Sequence, residues 1–158
     1  MDSRIRPGLG ELLRYVGELV DQGAEAEYQA MGFSYRPRYT PLFRALSAGA
    51  QTVTEITGRT YLTQGAVSQS VGLMEADGLL ERYRLDDGRK SGIRLTERGE
   101  ELLRVLQTHW ATTFAAIRTL EAEIGSPLLE TLEKTACALE RRDFSTRLRN
   151  AKSVETRG

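Results

Sequence analysis

Amide, hydroxyl and glycine residues collect on one side of the segment 63–76, TQGAVSQSVGLMEA. At about 100° per residue, a helix would place Val67, Val71 and Met74 on one narrow face. The opposite face would carry only small or short polar residues, namely Gly65, Ser68, Gln69, Gly72 and Ala76. Glutamine and serine can hydrogen-bond to base edges, and glycines let two backbones approach closely. These residue types predict a polar recognition surface, although an ordinary solvent-exposed helix would have the same pattern.

Catalytic and metal-binding chemistry have few candidate residues in this chain. His109 is the only histidine and Cys137 the only cysteine, so no two-histidine metal site, cysteine-rich zinc site or intramolecular disulfide is expected. We expect His109 to be an ordinary helix residue and Cys137 to pack as a small apolar residue. No nucleophile–base pair is present, so the sequence predicts neither an enzyme nor a bound metal or cofactor.

The net charge of the 158-residue chain is zero, but the charges are unevenly distributed. Residues 36–98 contain ten Lys and Arg against seven Asp and Glu, a net charge of +3, and the remainder carries −3. A basic middle suits a surface that meets phosphate, with a solvated mixed-charge surface as the alternative. No apolar run approaches the roughly 20 residues that span a bilayer, and the first ten residues lack a signal-peptide core. We therefore expect a cytoplasmic protein with no membrane partner.

Apolar spacing and capping residues predict the elements that position the polar face. Thr63 is the expected N-cap of its helix, which would end near Asp77-Gly78 because glycine favours a C-terminal stop. The preceding helix has capping-box spacing in Thr52-Val-Thr-Glu55 and should run to about Thr60. Two short helices joined by a turn form a helix-turn-helix. The stretches LLERYRL and IRLT, on either side of the polar DDGRKSG, predict a β-hairpin with a basic tip.

Helices are also expected at both ends of the chain. One is predicted over 9–31, and a short one from an N-cap at Thr40, with Pro41 in first position, to Leu46. A long helix over 97–124 carries apolar residues at alternating three- and four-residue steps, and Ser126-Pro127 opens a last helix before a frayed tail after Phe144. Neither end could bury its apolar stripe alone, so a homodimer is predicted.

Three of these stretches resemble the multiple-antibiotic-resistance-regulator (MarR) family of winged-helix transcription factors, over roughly residues 39–103. They are the capped TVTEITGRT, the helix LTQGAVSQSVGLMEADGLLER, and the hairpin DDGRKSGIRLTERG with Asp87, Arg89 and the L-T-x-x-G exit at 95–99. The resemblance implies a mainly α fold with a small β-hairpin wing, an α+β winged helix-turn-helix. It also implies a dimerisation helix over 1–35, a DNA-binding domain over 36–98, dimerisation helices over 99–150 and a flexible tail over 151–158.

By the same resemblance, the chain would be a homodimeric transcriptional regulator, expected to be a repressor, on pseudo-palindromic double-stranded DNA. Arg89 would enter the minor groove while Asp87 holds its guanidinium or the turn. Gly88 stands where the family often has a second arginine, which lowers the charge of this wing. The full set of expected DNA contacts is Arg38, Thr52, Thr63, Gln64, Gly65, Ser68, Gln69, Gly72, Asp87, Arg89, Lys90 and Ser91.

A small-molecule effector is a further candidate partner. Family members that bind ligands do so between the dimerisation helices and the winged-helix core. The aromatic candidates for such a pocket are Tyr28, Tyr35, Tyr39, Trp110 and Phe114, although aromatic residues at helical spacing more often form a core. The peroxide-sensing cysteine of some members lies near the N-terminal helices, so that role is not transferred to Cys137. The alternative function is a winged-helix protein-interaction module that does not bind DNA.

Overall fold

The computed structural model describes residues 4–86, 88 and 91–157. Its helices and one antiparallel hairpin confirm the predicted fold class of a mainly α protein with a β-hairpin wing. The helices are α1 (Leu9–Ala30), α2 (Thr40–Ser47), α3 (Val53–Gly58), α4 (Gln64–Ala76), α5 (Glu97–Ile124), α6 (Leu128–Arg141) and α7 (Phe144–Glu155), and the strands are β1 (Leu80–Arg84) and β2 (Ser91–Leu95). Within the described ranges, the helices are too short or too polar to cross a membrane. The chain divides into two compact units between Arg104 and Val105.

The first unit encloses a core to which α4 contributes one face. Val67, Val71 and Met74 are fully buried, as their spacing predicted. Burying such side chains stabilises the fold by about 1.5–3 kcal/mol each, which offsets the low helix propensity of the glycines. The other large buried side chains of this unit are Tyr28, Tyr35, Tyr39, Leu42, Phe43, Ile56, Leu79, Leu80, Ile93 and Leu103.

Both ends of α4 have the capping that the sequence predicted. The Thr63 hydroxyl accepts a hydrogen bond from the Ala66 amide at 3.1 Å. At the other end, Gly78 has φ +74°, and the Leu79 amide donates to the Met74 carbonyl at 2.9 Å. This is a Schellman arrangement, which requires the left-handed conformation that glycine adopts without strain. The boundaries of the helix are thus fixed by its own sequence.

The start of α2 differs from the prediction. A single 3₁₀ turn, Pro37–Tyr39, runs directly into the helix, so Thr40 is its first residue and the predicted N-cap at Thr40 is wrong. The Thr40 hydroxyl is instead hydrogen-bonded to the Tyr35 hydroxyl at 2.8 Å. The turn matters for the site because it carries Arg38 and Tyr39 toward α4.

The hairpin is joined to both helices of the helix-turn-helix. β1 and β2 pair from Leu80 opposite Leu95 to Arg84 opposite Ser91. The Ile93 amide donates to the carbonyl of Gln51, just before α3, at 2.8 Å. A β-carbon at Gly92 would overlap the ring of its cross-strand partner Tyr83, so a larger residue there would displace that ring.

The L-T-x-x-G exit of the hairpin is a junction between α4 and α5. The Thr96 hydroxyl donates to the Gly78 carbonyl at 2.6 Å and accepts from the Gly99 amide at 3.1 Å. The Thr96 amide also donates to the Leu79 carbonyl at 3.0 Å. A β-carbon at Gly99 would overlap that same carbonyl oxygen. The motif therefore fixes the end of α4 against the start of α5.

The second unit contains the rest of α5 together with α6 and α7, and two predictions are wrong there. Residues 144–155 form a helix and not a frayed tail. Its start is capped by Asp143, whose carboxylate accepts from the Thr146 amide at 2.7 Å, and Arg147 donates to the Ala138 carbonyl at 3.0 Å. Cys137, expected to pack as a small apolar residue, is exposed because it lies on the solvent side of α6.

Candidate nucleic-acid interface

The solvent-exposed side of α4 carries no charged residue from the start of the helix to Gly72. We call it the α4 face: Gln64, Gly65, Ser68, Gln69 and Gly72 all lie in solvent there. A β-carbon at Gly65 or Gly72 would meet no atom of the described residues within 4 Å. The packing of the protein therefore does not require glycine at either position, even though each costs the helix about 1 kcal/mol relative to alanine.

Arg38 contacts this face from the 3₁₀ turn. Its Nη2 donates to Gln69 Oε1 at 3.0 Å, and its Nε donates to the hydroxyl of Ser70 at 3.2 Å. Ser70 is only 3 % exposed, so this bond satisfies a polar group at the edge of the core. The structure thus brings together two residues that the sequence predicted separately, Arg38 and Gln69.

Tyr39, the next residue of the turn, contacts the C-terminal end of α4. Its hydroxyl donates to Asp77 Oδ2 at 2.8 Å. Burial, followed by the hydrogen bond to the Asp77 carboxylate, raises the pKa of Tyr39 to about 12, so the phenol stays protonated at neutral pH. Arg38 and Tyr39 therefore hold α4 at two separate points along its length.

The N-termini of α3 and α4 differ in their electrostatics. Thr52 caps α3 by accepting from the Glu55 amide at 3.1 Å, while the Glu55 carboxylate accepts from the Gln51 amide at 2.6 Å. A carboxylate already lies at the N-terminus of α3, whereas the first turn of α4, after Thr63, contains no acidic residue. The free amides of α4 are therefore the better phosphate donors of the two.

The hairpin contributes Ser91, which is exposed at the start of β2. Ser91 and Thr52 both line an open recess of about 560 Å³ between α3 and the hairpin. Gly88 has φ +67° and its amide donates to the Leu85 carbonyl at 2.8 Å, so the turn needs glycine at this position. The predicted contacts Asp87, Arg89 and Lys90 lie outside the described residues.

Arg94, on the same hairpin, contacts side chains of the neighbouring strand β1. Its Nε donates to Glu81 Oε1 at 2.7 Å, and its guanidinium lies 4.9 Å from the centre of the Tyr83 ring. This exposed cross-strand pair contributes little free energy, but it orients the side chain along β1.

The five aromatic candidates for a ligand pocket fall in two groups. Tyr28, Tyr35 and Tyr39 lie in the first unit and are buried, with Tyr35 packed edge-on against both of the others at centroid distances of 4.4 and 5.9 Å. Burial raises the pKa of Tyr28 and Tyr35. Trp110 and Phe114 lie on α5 in the second unit, where Phe114 lines an open recess of about 330 Å³ next to α6.

No metal-binding site is apparent in the part of the chain that the structure describes. There, no group of three His, Cys, Asp or Glu side chains is arranged to hold an ion.

Ser70, Asp77 and Tyr39 shape this surface and were not predicted to do so. Ser70 neighbours the apolar face of α4, and that position could have marked it as a buried hydroxyl in need of a donor. The bond between Arg38 and Gln69 spans 31 residues and has no signal in a single sequence.

Two short helices joined by a turn and followed by an antiparallel hairpin define a winged helix-turn-helix domain. The model of the MarR family matches residues 35–91. The resemblance to the MarR family noted in the sequence is therefore confirmed over these residues. No curated protein sequence matches the chain significantly.

Solved structures with the same fold include three bacterial proteins. The chain is similar to Mycobacterium tuberculosis MOSR in complex with DNA, at 18% identity over 85% of this chain and 98% of that one, with a TM-score of 0.69. Staphylococcus aureus MepR in a DNA complex gives 19% identity, coverage of 85% and 99%, and a TM-score of 0.66. Streptomyces coelicolor PcaV with its natural ligand gives 19% identity, the same coverage, and a TM-score of 0.59. At these identities the likeness shows the fold.

Proposed function

We propose that this protein is a DNA-binding transcriptional regulator, acting as a repressor on pseudo-palindromic double-stranded DNA in the cytoplasm. The observation that carries the proposal is the α4 face. Gly65 and Gly72 are exposed, lack a packing role among the described residues, and weaken the helix. Their presence is accounted for by an external surface that approaches the α4 backbone closely, and a major groove about 12 Å wide provides such a surface.

In this proposal α4 is the recognition helix and lies in the major groove. Gln64, Ser68 and Gln69 face the base edges, and the amides after the Thr63 cap donate to phosphate. Positive charge comes from the flanks: Arg38 beside α4, and Arg89 on the hairpin. The uncharged α4 face and its charged surroundings divide sequence readout from phosphate binding.

The hairpin serves as the wing. Arg89 reaches the minor groove, where negative potential is concentrated, and Asp87 holds the arginine or its turn. Lys90, Ser91 and Thr52 add phosphate contacts, with Thr52 the weakest because the Glu55 carboxylate lies beside it.

The regulator is proposed to act as a homodimer. Seven apolar side chains of α1 are more than 40 % exposed: Leu9, Leu12, Leu13, Tyr15, Val16, Leu19 and Val20. In the second unit, Leu120 and Ile124 of α5 and Phe144 and Leu148 of α7 are also exposed. Stripes of this kind on helices at both ends of the chain support dimerisation regions over 1–35 and 99–150 around a DNA-binding domain over 36–98.

Control by a small molecule is a further part of the proposal. PcaV, which shares the fold, was solved with its natural ligand. A ligand that favours one spacing of the two recognition helices would change DNA affinity at both half-sites at once. The aromatic candidates remain Tyr28, Tyr35, Tyr39, Trp110 and Phe114, and the chemistry of the effector is open.

Fluorescence anisotropy with a labelled duplex across a salt series tests DNA binding. The wild-type protein should bind with an affinity that falls steeply with salt, because each phosphate contact releases counterions. Arg89→Ala should weaken binding and lower the slope of log K against log salt by about one. Arg118→Ala, at an exposed position of α5 in the second unit, is the matched control. It should change neither the DNA affinity nor the salt slope.

The alternative, a protein-interaction module built on the same fold, predicts a different result in the same experiment. Such a module would show no salt-sensitive affinity for any duplex, and Arg89→Ala would then have no effect on DNA binding.

A further inference from the structure

Arg38 fixes the orientation of the Gln69 carboxamide. A guanidinium carries only hydrogen-bond donors, so the Gln69 atom that faces Arg38 Nη2 at 3.0 Å has to be the oxygen. The amide nitrogen is consequently at the other end of the group, directed away from the guanidinium. This assignment follows from the chemistry of the pair, which removes the usual ambiguity between the oxygen and nitrogen of a glutamine side chain.

Further contacts hold Arg38 and its neighbour Tyr39 in place. Arg38 also donates to Ser70, which is 3 % exposed, at 3.2 Å. The following residue, Tyr39, is fully buried and hydrogen-bonded to Asp77 at 2.8 Å. Among the residues that the structure describes, both partners of the Arg38 side chain are neutral. The guanidinium therefore keeps its positive charge while it holds Gln69.

We propose that Arg38 is a specificity-determining residue that makes Gln69 a hydrogen-bond donor toward DNA, so that α4 prefers guanine to adenine at the base that Gln69 contacts. This inference rests on the proposed function, since it concerns how the α4 face distinguishes base pairs. Arg38 acts through Gln69 and is a positioning residue.

The preference follows from the donor and acceptor pattern of the major groove. A free glutamine pairs with adenine by using both ends of its amide: the oxygen accepts from N6 and the nitrogen donates to N7. Because Arg38 holds the oxygen on its own side, the amide presents its two N–H groups on the other side. Guanine presents two acceptors, N7 and O6, whereas adenine places the N6 donor against the amide donor. The held amide thus favours guanine.

The test measures base preference separately from affinity. A duplex selected by the wild-type protein is varied through all four bases at each half-site position, and relative affinities are measured for wild type, Arg38→Met and Gln69→Ala. Wild type should prefer guanine to adenine by about tenfold at one position. Gln69→Ala should lose that preference, and Arg38→Met should shift it toward adenine because the amide is then free to turn its oxygen toward the base.

Arg36→Met is the matched control. Arg36 is exposed two residues earlier, and its replacement removes the same charge. It should lower affinity evenly over all duplexes without changing the preferred base. An equal loss of affinity in Arg36→Met and Arg38→Met, with guanine still preferred in both, would overturn the inference and leave DNA binding intact.

A second measurement needs no DNA. The side-chain NH₂ signal of Gln69 in the ¹⁵N spectrum of the free protein is identified by its loss in Gln69→Ala. Its chemical shift should differ from those of freely exposed glutamines. In Arg38→Met, the Gln69 signal should move to the chemical shift of the freely exposed glutamines. An unchanged signal would overturn the inference. A wild-type preference for adenine at the Gln69 position would do so as well. Absence of salt-sensitive DNA binding by wild type would instead overturn the proposed function, and with it the assignment of a base.

Discussion

Gly65 and Gly72 are the residues of the α4 face whose presence most needs an explanation. Both lie within a helix at exposed positions, where a β-carbon would meet no atom of the described residues within 4 Å. Alanine would be the better helix former at each position by about 1 kcal/mol. Lower helix stability at two positions on one face is consistent with a surface shaped for close approach, because functional sites often depart from the most stable sequence.

Replacing these glycines should therefore separate stability from DNA binding. We expect Gly65→Ala and Gly72→Ala each to raise the free energy of unfolding by about 0.5–1 kcal/mol, as measured by urea denaturation. Both should weaken DNA binding, because the added methyl group would stand between the α4 backbone and the base edges. Gly17→Ala, at an exposed position inside α1 with equal space, should give the stability gain alone. Unchanged affinity in both α4 variants would refute the proposed close approach.

The types and exposure of single residues could be predicted from sequence, but their tertiary partners could not. Helical spacing placed Val67, Val71 and Met74 inside and Ser68 and Gln69 outside, as the structure confirms. The Arg38–Gln69 contact depends on how the chain before α2 folds back, and periodicity carries no information about that path. For the same reason the 3₁₀ turn was not predicted, and Thr40 was assigned to a cap that it does not form.

At the scale of elements, the hairpin and α4 are held together by the hydroxyl of Thr96. It donates to the Gly78 carbonyl at 2.6 Å and accepts from the Gly99 amide at 3.1 Å. One side chain thus serves the C-terminus of α4 and the N-terminus of α5 together. The orientation of the proposed wing relative to the recognition helix depends on this junction.

Removing the Thr96 hydroxyl should destabilise the first unit. Thr96→Val keeps the shape of the side chain but leaves the Gly99 amide and the Gly78 carbonyl without this partner. We expect a loss of about 1–2 kcal/mol in the free energy of unfolding. Thr96→Ser retains the hydroxyl and should stay within about 0.5 kcal/mol of wild type. Equal urea midpoints for the two variants would show that the junction does not depend on this hydroxyl.

Elements with strong local signals were predicted well, and those fixed by tertiary contacts were not. The bounds of α5, 97–124, and the capped start of α4 agree with the sequence prediction because periodicity and capping residues act locally. The region after Phe144 was expected to fray because it is polar and basic. It forms α7, helped by the Asp143 cap and by Arg147 binding to the carbonyl of Ala138.

At the scale of the whole molecule, the exposed apolar residues support the proposed homodimer. Leu13 and Val16 of α1 are 46 % and 42 % exposed, and Ile124 of α5 is 49 % exposed. Exposed apolar stripes of this kind are uncommon in monomers. A second copy of the chain, presenting the same stripes, would cover it and would also present two recognition helices to one DNA duplex.

Charge introduced into the α1 stripe should dissociate the dimer. Leu13→Glu combined with Val16→Glu adds two carboxylates at positions that are already partly exposed, so the protomer should still fold. Light scattering after size exclusion should give twice 17.6 kDa for wild type and 17.6 kDa for the variant. Gln22→Glu, at an exposed position on the polar side of α1, should remain dimeric. A double variant that stays dimeric would place the interface elsewhere.

Selection of bound sequences from a random duplex pool tests the central claim most directly, because it reports DNA binding, base preference and dimer geometry together. Two recognition helices related by a twofold axis should enrich inverted half-sites whose centres lie about 10 base pairs apart, one turn of the duplex. Recovery of such a pseudo-palindrome is the predicted result. A pool that shows no enriched sequence, or a single half-site without symmetry, would contradict a homodimeric regulator that reads DNA through α4.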